Sequence, residues 1–399
     1  MTTTINNEHK KLNVPNLRFP GFHGEWERLR LDAFTERVMR KNKNNQSRLP
    51  LTISAQYGLV DQITFFNKVV ASTDMSNYYL LKRGEFAYNK SYSSDYPWGA
   101  IKRLDNYDQG ALSSLYICFT PQDNVVSDFI LQYFESHKWH KGVSEIAVEG
   151  ARNHGLLNVS VQDFFHTYHY VPKDKNEQLK ISKLLMLLDK RIATQNKIIE
   201  DLKKLKCAII EKLYTEIQGK EYSYGQLFDV VNERNKQMEY SNILSASQEK
   251  GMVNRDDLNL DIQFERSNIN TYKIVRAGDY VIHLRSFQGG FAFSDKLGVC
   301  SPAYTILRPN SLLEYGYLSY YFTSQRFIKS LIIVTYGIRD GRSINVEEWL
   351  NMKVVIPSKE HQLHALNVLK SIDDKIVNEE TYATCLSNQK QYLLRQMFI

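Results

Sequence analysis

Residues 171–214 read VPKDKNEQLKISKLLMLLDKRIATQNKIIEDLKKLKCAIIEKLY, and residues 355–398 read VIPSKEHQLHALNVLKSIDDKIVNEETYATCLSNQKQYLLRQMF. Laid over each other at a constant offset of 184, without gaps, they match at Gln178/Gln362, Leu179/Leu363, Asp189/Asp373, Ile192/Ile376 and Lys206/Lys390. Leu185 likewise meets Leu369, and Leu202 meets Leu386. Other apolar positions stay apolar, such as Ile209 with Leu393 and Leu213 with Met397. A repeat at fixed offset is read first, because it says that one structural unit is built more than once.

In the first copy, apolar residues fall at Leu185, Leu188, Ile192, Ile199, Leu202, Ile209 and Leu213. Steps of three, four and seven give a narrow stripe close to a heptad seam. The second copy carries Leu369, Ile372, Ile376, Ala383, Leu386, Leu393 and Met397. Gln195 and Lys206 interrupt the first stripe; Glu379 and Lys390 stand at the same places in the second. A helix of about forty residues is roughly 60 Å long, and so narrow a stripe needs a partner helix. The chain supplies one, which predicts an intramolecular two-helix coiled coil. Pro172 and Pro357 break the strand-like runs YHYVP and VVIP before each helix. Gly219 closes the first helix and opens a short linker.

The repeat extends upstream with small gaps. Leu31-Asp32 through Glu36-Arg37 parallels Phe228-Asp229 through Glu233-Arg234 at an offset of 197, and Leu80 to Phe86 parallels Ile274 to Tyr280 at 194. Phe129 to Trp139 matches Tyr317 to Phe327 at 188; Gly150-x-Arg152 and Asn158-Val159 match Gly337-x-Arg339 and Asn345-Val346 at 187. The layout is a polar lead-in (1–22), a globular part (23–172), a helix (173–218), a second globular part (219–357) and a second helix (358–399). FAYNKSY, SLYICF, DYVIHL and AYTILRP fit strands, while DFILQYFESHKW and EYGYLSYYFTSQRFIKSLI fit short amphipathic helices. The expected fold class is therefore α+β: two repeated globular domains separated by two long helices packed as a coiled coil.

The chain has 399 residues, enough for two or three domains. It has no run of about 20 apolar residues that would span a bilayer and no apolar core of a signal peptide in its opening MTTTINNEHKK. The cytoplasm is the expected compartment. Cys118, Cys207, Cys300 and Cys385 lie far apart, without zinc-finger spacing, so no metal is expected. The net charge of +7 suits a polyanion partner, but residues 173–220 hold twelve Lys/Arg against seven Asp/Glu. The rest is nearly balanced, so any face for such a partner must be a local cluster.

No phosphate-binding Gly-x-x-x-x-Gly-Lys-Ser/Thr loop is present, nor Gly-x-Gly-x-x-Gly, His-Glu-x-x-His or Gly-x-Ser-x-Gly. No two prolines are adjacent, which removes the Asn/Asp-Pro-Pro-aromatic motif of amino-directed DNA methyltransferases. No catalytic residue is assigned. What remains are polar-basic loops interleaved with aromatics, as in nucleic-acid contact. One loop holds Arg40, Lys41, Lys43, Asn44, Asn45, Gln46 and Arg48, and its counterpart holds Arg234, Asn235, Lys236 and Gln237. Arg and Lys can read guanine or hold phosphate, and Asn and Gln can pair with adenine. A second pair sets Asn89, Lys90, Ser91 and Tyr92 against His283, Arg285, Ser286 and Gln288. A third sets Arg152 against Arg339 and Arg342, where a structural ion pair is an equal reading; Gln56 and Gln248 form a weaker fourth.

In this order the motifs resemble the specificity subunits of type I restriction–modification systems, over essentially the whole chain. Val14-Pro-Asn-Leu-Arg-Phe-Pro-Gly-Phe22 with Glu25-Trp26-Glu27 looks like the opening of the Gram-positive members. Glu177-Gln-Leu-x-x-Ile, Leu-Asp189-Lys-x-Ile192 and Leu-Lys-Lys-Leu-Lys206 are similar to the central conserved region. The second copy departs at His361, and its Leu-Lys-rich end becomes Leu386-Ser-Asn-Gln-Lys390. The resemblance implies two target-recognition domains, each reading half of a split, asymmetric DNA sequence, on two helices packed antiparallel as a spacer. It implies two methyltransferase subunits bringing S-adenosylmethionine, and restriction subunits bringing ATP and Mg2+, with no cofactor on this chain. The alternative is a regulatory or architectural DNA-binding protein with two reading heads that acts without such partners.

Overall fold

The computed structural model describes residues 12–68, 70–147, 155–247, 250–258, 266–283, 290–336 and 343–399. The chain divides into two compact units: Met1–Gln195 with Tyr382–Ile399, and Asn196–Thr381. Each long helix is shared between them, since one runs Lys175–Thr215 and the other Lys359–Met397.

In the first unit a four-stranded sheet takes the order Thr35–Arg37, Ile117–Pro121, Phe86–Asn89, Ala100–Arg103, with every pair antiparallel. Its period-2 alternation feeds two cores. Phe86, Tyr88, Ile117 and Phe119 point to one side, while Ala87, Ala100 and Cys118 point to the other. The second side is closed by another four-stranded sheet, Gly58–Asp61, Pro50–Ser54, Gln109–Leu112, Tyr79–Lys82. The first side packs on the helix Ser127–Glu135, whose Phe129, Ile130, Tyr133 and Phe134 share one face. Ile181 and Leu185 of the first long helix and Leu394, Met397 and Phe398 of the second complete that core.

The second unit repeats the plan. Its sheet runs Phe228–Val231, Thr305–Pro309, Tyr280–Ile282, Phe291–Phe293. Tyr280, Ile282 and Leu307 face the helical core, while Val281, Ala292 and Ile306 face the other. Ile210 and Tyr214 of the first long helix and Ala365 and Leu369 of the second enter the helical core.

The long helices are packed together and antiparallel. In the first unit Asp189 pairs with Lys390 and Arg191 with the Tyr382 hydroxyl; in the second Lys206 pairs with Asp373 and Lys203 with Glu380. The apolar stripe is buried at Leu185, Ile199, Leu369, Ile376, Leu386 and Met397, and half-buried at Leu188, Ile192, Leu202, Ile209, Leu213, Ile372, Ala383 and Leu393. Towards the helix ends the buried face turns to Ile210, Tyr214, Leu394 and Phe398, because a domain core lies there besides the partner helix.

Strand register corrects one upstream match. Thr35 pairs with Pro121 and Phe228 with Pro309, so Thr35, not Leu31, is the counterpart of Phe228. Leu31 instead matches Tyr224: their backbone N–H groups donate to Thr167 O (2.9 Å) and Met352 O (3.0 Å) in the two units. The offset there is 193. The similar lettering at 197 lies one helical turn away, in the short helical turn that precedes the strand.

The departure at His361 has a physical reason. Its counterpart Glu177 is 1% exposed and takes both oxygens to Arg18 (2.7 and 2.8 Å), with the Trp26 indole N–H donating at 3.3 Å. Arg18 belongs to the lead-in, which also ties Leu17 N–H to Gln396 O at 2.9 Å. The second globular part is entered from the first long helix through Gly219, so it has no such segment, and His361 bonds to Ser358 instead (2.7 Å).

Candidate nucleic-acid interface

Both principal polar loops of the first unit leave the central sheet in the same direction, because Thr35–Arg37 and Phe86–Asn89 each run antiparallel to Ile117–Pro121. The loop after Thr35–Arg37 is built on Asn42. Its buried amide donates to Ser47 O (2.9 Å) and accepts from Ser47 N–H (2.7 Å), closing the loop on itself. Asn44 and Asn45 both take left-handed backbone (φ 56° and 52°), which Asn tolerates better than most residues. Asn45 then accepts from Met75 N–H at 2.8 Å and donates to Asp74 at 3.3 Å.

This scaffold divides the candidate residues. One guanidinium nitrogen of Arg40, Nη2, donates to both oxygens of Glu85 (2.7 and 2.8 Å). Lys41 donates to Asn77 O at 2.8 Å and lies 4.2 Å over the Tyr79 ring. Asn45 holds the loop. Lys43, Asn44, Gln46 and Arg48 remain exposed, and among the described residues their side chains have no partner.

The counterpart loop uses the same device. Asn235 is 2% exposed; its amide donates to Tyr240 O (2.8 Å) and accepts from Tyr240 N–H (3.2 Å), as Asn42 does with Ser47. Met238 carries the positive φ of 54° at the place of Asn45. The reading of Asn235 as a surface contact is therefore corrected: burial and the two backbone bonds keep it inside. Arg234, Lys236 and Gln237 are exposed around it. Sequence reasoning missed the anchoring role of Asn42, and the signal was its recurrence as Asn235, hidden by matching the loops at 197.

Asn89 accepts from Ser91 N–H at 3.0 Å, Lys90 reaches Val159 O at 3.4 Å, and Tyr92 N–H donates to Gly155 O at 3.0 Å. Ser91 and Tyr92 stand exposed on this laced loop. His283, the counterpart of Asn89, is half-buried, with its N–H on Gly290 O at 2.8 Å. Burial pulls its pKa below the usual range, which favours the neutral ring. Arg152, Gln248, Arg285, Ser286, Gln288, Arg339 and Arg342 lie outside the described residues.

Gln56 stands apart from these loops. The strand Pro50–Ser54, about 17 Å long at about 3.3 Å per residue, separates its turn from the Arg40–Arg48 loop. That turn borders a cavity of about 330 Å³ lined also by Gln132, Asp189 and Lys390, on the side of the long helices. A DNA contact at Gln56 would need a different face from the one Lys43 and Arg48 present.

No family model matches the sequence, and no curated protein matches it. Solved structures do match the fold. A chain of a type I R-M system, solved to explain complex assembly and conformational transition, is similar at a TM-score of 0.59 and 14% identity, over 96% of this chain and 99% of that one. The type I restriction-modification system S subunit from M. genitalium is similar at a TM-score of 0.52 and 14% identity, over 97% of this chain and 99% of that one. The α+β arrangement of two β-rich domains and two long packed helices is thus the fold of type I specificity subunits, over nearly the full length.

Proposed function

We propose that this chain is the specificity subunit of a type I restriction–modification complex: a non-catalytic DNA reader with two recognition heads and a docking frame for methyltransferase and restriction subunits. The observation that carries this reading is the duplicated head, each copy ending in an exposed basic and amide-bearing loop on a buried Asn, rooted on one antiparallel helix pair. Lys43, Asn44, Gln46 and Arg48 are the proposed readers of one half-site, and Arg234, Lys236 and Gln237 of the other. Exposed amides and guanidinium groups on a rigid support are what base-edge recognition requires. The loops differ in sequence, so the two half-sites differ. S-adenosylmethionine, ATP and Mg2+ belong to partner subunits in this reading, and the target adenine is flipped into a partner's pocket.

The test is footprinting of DNA fragments from the host genome with the chain alone and with its methyltransferase partner. Protection of two separated short segments that sharpens on adding the partner supports the reading. A sharp footprint by the chain alone, unchanged by the partner, supports the self-sufficient two-headed binder instead.

A further inference from the structure

In both units one carboxylate joins three elements, and it does so with the same atoms. Asp189, on the first long helix, accepts from Lys390 of the second at Oδ1 and from the Gln132 amide at Oδ2 (2.9 Å). Asp373, on the second long helix, accepts from Lys206 of the first at Oδ1 and from the Tyr320 hydroxyl at Oδ2 (2.7 Å). Asp189 and Asp373 are equivalent in the repeat, as are Lys390 and Lys206. Gln132 and Tyr320 occupy the same place on the two domain helices, at the offset of 188. Beside each junction lies a cavity bounded by equivalent elements, about 330 Å³ in the first unit and about 640 Å³ in the second.

Lys206 and Lys390 break the apolar stripe, and an apolar residue there would pack the helices at least as well. The carboxylates are 41% and 35% exposed, so these pairs add little stability. What they supply is direction. Each ties a head, through Gln132 or Tyr320, to both long helices at one register, and the flanking cavity leaves room for a small tilt of the head about its shared core once the tie is cut.

We propose that Asp189 and Asp373 are positioning residues: each fixes the seat of one head on the helix pair, and with it the range of gaps between half-sites that the chain accepts. This rests on the specificity-subunit reading. Tyr320→Phe cuts the tie to the head and leaves the helix pair intact; Lys206→Met cuts the tie between the helices. The experiment methylates a library of the two-part target, with the gap varied base pair by base pair, using the complete complex of this chain and its methyltransferase partner.

Both variants are expected to raise methylation at the flanking gap lengths by about two- to fivefold relative to the native gap, while the half-site bases stay the same. Lys206→Arg, which keeps a cation donating to the Asp373 carboxylate and leaves the Tyr320 bond in place, is expected to keep the narrow preference. Variants that melt like the wild type and keep its gap preference would overturn the proposal, as would a change in half-site bases at an unchanged gap. If the wild-type complex methylates no two-part sequence, the specificity-subunit reading itself has failed.

Discussion

Asn42 shows how much of the proposed recognition loop is scaffold. Its amide meets Ser47 N–H and O in burial, so truncation strands two backbone groups. Asn42→Ala and Asn235→Ala are each expected to destabilise their own unit by about 1–3 kcal/mol, read as a lower urea midpoint, whereas Arg48→Ala leaves the midpoint unchanged and alters one half-site. His169 gives a pH signature of the first unit. Fully buried between the Tyr133 hydroxyl at Nδ1 and Thr167 at Nε2, it is pushed down to about 3 by burial. The folded state keeps this ring neutral while the unfolded chain protonates it below about 6.5. Its contribution is therefore complete above pH 6.5 and is lost as pH falls towards 3, by at most about 1.4 kcal/mol per pH unit. Val354 stands at the same place in the second unit, since it pairs with Tyr222 as His169 pairs with Leu29, each two residues before the matched Leu31 and Tyr224. His169→Val is expected to flatten the acid limb of the urea-midpoint profile, and an unchanged limb would contradict the assignment.

The elements were legible to different depths for physical reasons. The long helices were readable because a 3.5-residue period sustained over about forty residues has no other solution. The role of the interrupting Lys206 and Lys390 was not, because a repeat aligns Asp189 with Asp373, whereas the antiparallel pair sets each aspartate against the other copy's lysine. The helix ends follow the same logic. Phe398 packs on Phe129 (5.4 Å) and Tyr133 (5.7 Å), and Tyr214 on Tyr317 (5.3 Å) and Tyr321 (5.2 Å). Phe398→Ala is expected to cost the first unit about 3–5 kcal/mol and leave the second unit's melting in place, as a two-step thermal scan would show. The strand-to-helix contact has diverged more. Lys102–Glu135 (2.6 Å) and Arg103–Asp128 (2.7 Å) join strand and helix in the first unit, while in the second Phe293 packs on Tyr315 (5.1 Å) and Gly316. Lys102→Met is expected to cost the first unit less as salt is raised, whereas the cost of Phe293→Ala to the second is unchanged, since only the first contact is ionic; urea midpoints at low and high salt check both.

At the scale of the molecule, each unit is rooted on the start of one long helix and the end of the other. Neither head is therefore a bead on a string: its core is finished by both helices, as Leu185 and Leu394 finish one and Ile210 and Leu369 the other. The repeat made this architecture readable before any coordinates, down to Gln178 and Gln362. In their units these donate to Pro172 O (2.8 Å) and Pro357 O (3.1 Å) and accept from Val126 and Glu314 N–H. The proposed recognition loops were not readable to the same depth. Their candidate residues are alike in composition, and only burial separates anchors such as Asn235 from exposed side chains such as Arg48. The central claim, that two unlike heads on one helix pair direct a partner's methylation to a split target, is tested most directly by adenine methylome sequencing of cells expressing the methyltransferase partner with and without this chain. The account predicts methylation at one two-part, non-palindromic motif that appears only with the chain present. Methylation that is the same in both cells, or that falls on a palindrome, would contradict it.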